Sequence, residues 1–168
     1  MLVYHSAFDM YHSVYRMIQL LTNLKKDYVE LERLRIWDYY LAFPNEMTKI
    51  KFEREANDIK KIFPDKPNPY EIVLDGKIIF EKMRPYQLTA IKTLASHGLI
   101  DKNYLKENRV TKIQANLSNE VFGKFEELTD REENIIKIMT TYFQNMPLYG
   151  EGGLKDRTSL LEYRYDAQ

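Results

Sequence analysis

The sequence predicts a mainly helical α+β protein, with an N-terminal helical pair, a winged-helix-like unit, a C-terminal helix and a tail strand. Three observations carry this. Apolar residues recur at helical spacing in four separate segments. Two short stretches, Val110-Thr111-Lys112-Ile113 and Leu161-Glu162-Tyr163-Arg164-Tyr165, alternate apolar and polar as strands do. Proline and glycine punctuate the chain near the ends of these segments.

Taken in order, residues 8–24 repeat Tyr11, Val14, Tyr15, Ile18 and Leu21 on one helical face, with Asp9 placed to cap the first turn. Residues 28–42 repeat Leu31, Leu34, Trp37 and Leu41. Glu30, Glu32, Arg33, Arg35 and Asp38 fall off that stripe, and Arg33 and Arg35, with Glu30 and Glu32, read first as an exposed face. Pro44 ends this helix, because the residue before a proline avoids the helical region. The short connection favours an antiparallel helical pair. A short helix is expected over 53–62. Pro64-Asp65-Lys66-Pro67-Asn68-Pro69 then places three prolines in six residues, and the main internal boundary is set there.

Beyond it, Ile78-Ile79-Phe80 reads as buried, in a short helix or a strand. Pro85 suits the first position of the next helix, whose Leu88, Ile91, Leu94 and Ala95 share a face and whose end is marked by Gly98. A helix closing in Gly98-Leu99-Ile100, followed by the alternation at 110–113, has the pattern of a winged-helix unit over about 70–117, though ordinary helix-to-strand corners share it. A short helix is expected at 119–127. Thr129-Asp130-Arg131-Glu132 is a capping box, and Ile135, Ile138, Met139, Tyr142 and Phe143 continue from it to a stop at Pro147. Gly150-Glu151-Gly152-Gly153 reads as a joint. The tail after it carries Leu160, Leu161, Tyr163 and Tyr165, which is too much apolar surface to leave in water, so residues 154–166 are expected to dock. The organisation is therefore 1–63, 64–149 and 150–168, joined in one compact domain. No repeat or low-complexity segment interrupts it.

Composition narrows the function classes. Hydrophobic residues make up 44% and charged residues 30%, a globular balance. The longest apolar run, Tyr39 to Phe43, is far too short to span a membrane. No signal sequence opens the chain, and the expected compartment is cytoplasmic. With no cysteine there is no disulfide, thiolate metal site or cysteine nucleophile. Lys plus Arg and Asp plus Glu are 25 each, so the basic excess of a free-standing nucleic-acid binder is missing. The 13 Tyr and 8 Phe fit either an aromatic-rich core or a surface that meets partners.

Motifs for chemistry are sparse. His5, Asp9 and His12 share a face only on a continuous helix, and Asp9 is already accounted for as a cap. His97 suits a helix C-terminus. Neither a phosphate-binding loop nor a serine-nucleophile elbow occurs. No catalytic residue, metal ligand or cofactor is assigned. The basic residues at 49–66 are interleaved with acids and read as a solvated face. The candidate partner interface comprises Arg33, Arg35, Lys155, Arg157, Leu160, Tyr163, Arg164 and Tyr165. Lys155 and Arg157 head it because they follow the glycine joint, on a segment able to extend and pair with a sheet edge.

A family resemblance runs through the same residues. Tyr4-His5-Ser6-Ala7-Phe8-Asp9-Met10-Tyr11-His12, then Arg16, resembles the opening of the middle components of bacterial ABC-three-component systems. The likeness continues through Glu32-Arg33-Leu34-Arg35-Ile36-Trp37-Asp38-Tyr39-Tyr40-Leu41-Ala42-Phe43-Pro44, Pro67-Asn68-Pro69-Tyr70-Glu71 and Arg84-Pro85-Tyr86-Gln87. It extends to His97-Gly98-Leu99-Ile100 and Gly153-Leu154-Lys155-Asp156-Arg157-Thr158. Within that family the chain is most similar to the small middle subunit of the Lamassu anti-phage type. The resemblance implies a non-catalytic subunit working with a large SMC-like ATPase and a nuclease effector, with DNA reached only through the complex and no membrane contact. The rival reading from the residues alone is a winged-helix DNA-binding regulator acting by itself.

Overall fold

The computed structural model describes residues 5–62, 73–114 and 127–166. Within them the protein is mainly helical, with one two-stranded antiparallel sheet. A 3₁₀ turn at Ser6–Phe8 leads into α1 (Met10–Thr22). Asp9 caps α1 by accepting from the His12 backbone N–H, as its position predicts. The buried side of α1 carries Ser13, Arg16, Met17, Ile18, Leu20 and Leu21, so the face is rotated from the expected stripe and Tyr11 stands exposed.

β1 (Tyr28–Glu30) and α2 (Leu31–Ala42) follow where a single helix over 28–42 is expected. The first three residues are drawn out of the helix by pairing with β2 (Arg109–Thr111), with Val29 opposite Val110 and both buried. α2 is buried on nearly all sides, from Arg33 to Leu41. Two 3₁₀ segments, Pro44–Lys49 and Arg54–Ile62, come next, the second where a short helix is expected. The proline-rich boundary lies outside the described residues.

α3 (Gly76–Ser96) is one helix with Pro85 inside it, not a helix starting at Pro85. The ring removes one hydrogen-bond donor. The turns on both sides are held by burial of Phe80, Met83, Gln87, Ala90 and Ile91, while Pro85 itself faces outward. Ile78 is exposed, contrary to expectation, and Phe80 is buried. Gly98 ends the helix at φ +72°, with its N–H on the Ala95 carbonyl and the Leu99 N–H on the Leu94 carbonyl. These are the paired bonds of a glycine C-cap, and they need a backbone that side-chain-bearing residues resist. Ile100 is buried beneath the helix end. After α4 (Lys102–Lys106), β2 pairs with β1 from the N-terminal region, so the sheet joins the two halves of the chain. Residues 70–72 and 115–117 of the expected winged-helix-like unit, and most of the helix expected at 119–127, lie outside the described residues.

α5 (Asp130–Ile138) opens with the complete capping box of Thr129 and Glu132 and widens into a π turn at Met139–Phe143. The tail forms a short helix, α6 (Leu154–Thr158), followed by irregular chain. The strand expected at 161–165 is not formed. Tyr163 and Arg164 turn their backbone N–H groups onto the Glu162 carboxylate instead of a neighbouring strand. One apolar cluster runs from Ala7 through Trp37, Phe80 and Phe143 to Leu160.

Candidate functional site

Charged residues inside the helical core are the least ordinary feature of this fold. Arg16 on α1, Asp38 on α2 and Gln87 on α3 are buried together, Asp38 with no exposed surface. The Arg16 Nε donates to Asp38 Oδ1 at 2.6 Å, and its other nitrogens donate to the Ser6 carbonyl and the Ser13 hydroxyl. Gln87 donates to Asp38 Oδ2 at 2.9 Å and to the Arg35 carbonyl at 3.1 Å, while its Oε1 accepts from Arg35 Nε at 2.9 Å. A buried charge is tolerated only when it is paired and its remaining hydrogen-bonding sites are filled. This network meets most of that demand and ties three helices in one register.

The next residues on α2 are also turned inward. Arg33 and Arg35 are 3% and 5% exposed, so the exposed-face reading of Arg33 and Arg35 is wrong. Helical periodicity marks the apolar stripe of α2 correctly, but neighbours cover its other faces too. Arg33 donates to the Phe143 and Met146 carbonyls at 2.5 and 2.8 Å, and to Glu30 at 2.8 Å. Burial alone would raise the Glu30 carboxyl, but the bond and charge of Arg33 outweigh it and hold Glu30 below its ordinary value. Arg35 lies over the Phe80 ring at 4.5 Å.

The tail docks on this assembly. Lys155 is buried, not extended toward solvent. Its ammonium donates to Asp166 at 2.8 Å, pairs with Glu32 at 2.8 Å and lies over the Tyr149 ring at 4.8 Å. Arg157 donates to the carbonyls of Gly152 and Lys51 and to the Glu53 carboxylate. Leu160 is 3% exposed, with its side chain 3.7 Å from where a Cβ on Gly76 would stand. Tyr163 is half-buried, Arg164 is exposed and Tyr165 is 90% exposed. Of the eight candidate interface residues, Arg33, Lys155, Arg157 and Leu160 thus spend their groups within the chain, Arg35 commits its Nε to Gln87 but leaves Nη2 without a hydrogen bond, and Arg164 and Tyr165 face outward. Arg16, Asp38 and Gln87 are site residues that the sequence reading does not single out. Their only sequence signal is their place inside the stretches that carry the family resemblance.

The histidine cluster resolves into local structure. His12 Nδ1 lies 2.7 Å from Asp9 Oδ2, and His5 accepts from the Ala7 N–H and stacks on Phe43 at 4.5 Å. Among the described residues, no group of three or more His, Cys, Asp or Glu is placed to hold a metal ion. None of the described helices is long and apolar enough to cross a membrane. Guanidinium forks on carbonyls and carboxylates fix geometry, so the arrangement defines a helical scaffold held by buried ionic clamps.

The family model for ABC-three component (ABC-3C) system Middle Component 5 matches residues 2–166. The chain belongs to that family and is therefore a component of a multi-component system. No curated protein and no solved structure matches it.

Proposed function

We propose that this chain is a cytoplasmic, non-catalytic structural and regulatory subunit of a bacterial anti-phage defence complex, of the Lamassu type, which bridges an SMC-like ATPase and a nuclease effector. The observation that carries this reading is the Middle Component family match over nearly the whole chain. The buried clamps fit the role, since a bridging subunit must present fixed surfaces to two partners at once. Arg164 and Tyr165, beside half-buried Tyr163, are the candidate interface residues that face outward. DNA is contacted through the complex, in keeping with a formal net charge of zero.

The test is affinity purification of the tagged full chain from its native host, with identification of co-purifying chains. Recovery of an SMC-like ATPase and a nuclease in fixed ratio is the expected result. A chain that elutes alone and binds duplex DNA tightly, with affinity falling steeply as salt rises, would overturn the reading in favour of a stand-alone winged-helix regulator.

A further inference from the structure

A groove of about 330 Å³ opens where the docked tail meets α2 and α3. Arg35, Arg84, Leu31, Leu88 and Tyr149 line it. We propose that this groove is a socket for an acidic side chain of a protein partner, with the Arg35 and Arg84 guanidiniums receiving the carboxylate and Leu31, Leu88 and Tyr149 receiving the apolar residue beside it. The proposal rests on reading the chain as a subunit that docks on other chains, and it names the chemistry of one contact.

Arg35 is the primary reason. Its side chain is 6% exposed, and its Nε is satisfied by Gln87. Its Nη2 is buried with no hydrogen-bond acceptor. The nearest carboxylate oxygen, on Glu81, stands 3.7 Å away, beyond hydrogen-bond reach. A guanidinium N–H in this state is a donor awaiting an acceptor, because native structures rarely leave such groups unpaired.

Arg84 is the second, independent reason. It lies on the exposed side of α3 and forms no ion pair among the described residues. Burial lowers the proton affinity of Arg35, Glu81 opposes this, and the positive charge of Arg84 lowers it further. Two guanidiniums therefore lie at one end of the groove, with Glu81 3.7 Å from Arg35 and Glu32 also acting on it. An incoming carboxylate would relieve their repulsion, meeting Arg84 and the part of the Arg35 guanidinium that lines the groove, in the planar geometry that guanidinium recognises best.

The rest of the groove selects against a polyanion. Glu30, Glu32 and Asp166 also line it. Lys155 is held by Glu32 and Asp166, and Arg33 by Glu30, so neither cation is free to meet phosphate. A nucleic-acid backbone would press a row of phosphates against three carboxylates. One acidic side chain flanked by an apolar residue meets only the basic end and the aromatic wall.

The experiment follows the arginine side-chain resonances of the isotope-labelled full chain during titration with a capped pentapeptide, Ala-Leu-Glu-Leu-Ala. Parallel titrations use inorganic phosphate and a short DNA duplex. Saturable shifts of Arg35 and Arg84 with the peptide alone are expected. Arg84→Gln should abolish them without moving the melting temperature. In the native-host purification, Arg84→Glu should lower recovery of one partner at least tenfold, whereas Lys92→Glu, elsewhere on exposed α3, should not. Equal shifts with phosphate or duplex overturn the carboxylate assignment. If the chain assembles with its partners but the peptide moves neither arginine, the socket is refuted and the subunit reading stands. If the peptide binds but no partner is ever recovered, the subunit reading fails and the socket stands.

Discussion

Arg33 and Phe143 lie 110 residues apart, yet the Arg33 guanidinium donates to the Phe143 carbonyl at 2.5 Å and to the Met146 carbonyl at 2.8 Å. These carbonyls belong to the end of the α5 helical run, where backbone acceptors lack intrahelical partners. Arg33 serves them from a different helix while holding Glu30. Arg33→Met should lower stability by about 3 kcal/mol, since charged hydrogen bonds to buried groups are lost together. Arg33→Lys should recover less than half of that, because a point charge cannot fork between two carbonyls and a carboxylate. Denaturant unfolding of the three proteins measures both.

The Arg16–Asp38 pair should behave as a unit. Asp38→Ala leaves a guanidinium buried without its carboxylate and should cost about 3–5 kcal/mol. Arg16→Met alone should cost a similar amount. The double variant Arg16→Met with Asp38→Leu should cost well below the sum, because an apolar pair can fill the space without an unpaired charge. A double-mutant cycle gives the coupling directly. Strict additivity would show that the two side chains act separately.

What sequence could reveal depended on whether the deciding contact was local. Asp9, Gly98 and the Thr129–Glu132 box are caps whose partners lie within a few residues, and each forms where its residue type predicts. Periodicity misplaces Arg33 and Arg35 because their partners, Phe143 and Gln87, lie 110 and 52 positions away. Periodicity identifies the apolar stripe of α2 but says nothing about neighbours on its other sides. Pro85 misled for the same reason: a proline favours a helix start locally, while the packing of Phe80 and Met83 carries the helix through it. The tail was legible as docked through Leu160, but not as a helix, because Lys155 owes its burial to Glu32 on α2.

Gly153 should be the least replaceable glycine in the tail joint. A Cβ there would stand 2.5 Å from the Tyr149 carbonyl oxygen and 3.0 Å from that of Pro147. The Pro147 carbonyl already accepts from the Leu154 N–H at 2.7 Å, so the backbone cannot shift without breaking the entry to α6. Gly153→Ala should cost at least about 3 kcal/mol. Gly98→Ala, with open space around it and only its positive φ to oppose the change, should cost about 1–2 kcal/mol. Thermal melts of the two variants rank them.

Alkali should unfold this protein through specific groups. Burial, reinforced by Glu46, raises the Tyr39 phenol above its ordinary 10.0, and burial raises Tyr40 as well. Burial pulls the Lys155 ammonium down, but its bonds to Asp166 and Glu32 lift it further, for a net rise above 10.5. All three groups keep their protons in the folded chain at a pH where the unfolded chain loses them. The stability they lend is complete below about pH 10 and is lost as pH rises toward the folded values. Tyr39→Phe should lose about 1 kcal/mol at neutral pH with its bond to Glu46, yet show a shallower alkaline decline. Unfolding followed by tyrosinate absorbance separates the two effects. An unchanged alkaline slope would show that Tyr39 does not contribute to it.

The tail offers the clearest separation of folding from recognition. Leu160 is 3% exposed near the start of α3, whereas Tyr165 is 90% exposed. Leu160→Ala removes buried methyl groups and leaves a cavity, which should cost about 2–4 kcal/mol. Tyr165→Ala removes a ring that already stands in water and should change stability by less than about 0.5 kcal/mol. If the tail also meets a partner, Tyr165→Ala should weaken assembly of the native complex while the isolated chain melts unchanged. Deleting residues 154–168 should do both, because it removes Leu154, Lys155 and Leu160 from the core together with the outward-facing Arg164 and Tyr165. Comparing melting temperature with partner recovery for the three variants assigns each residue to one task. A truncated chain that melts like the full chain would show that the tail contributes nothing to the fold.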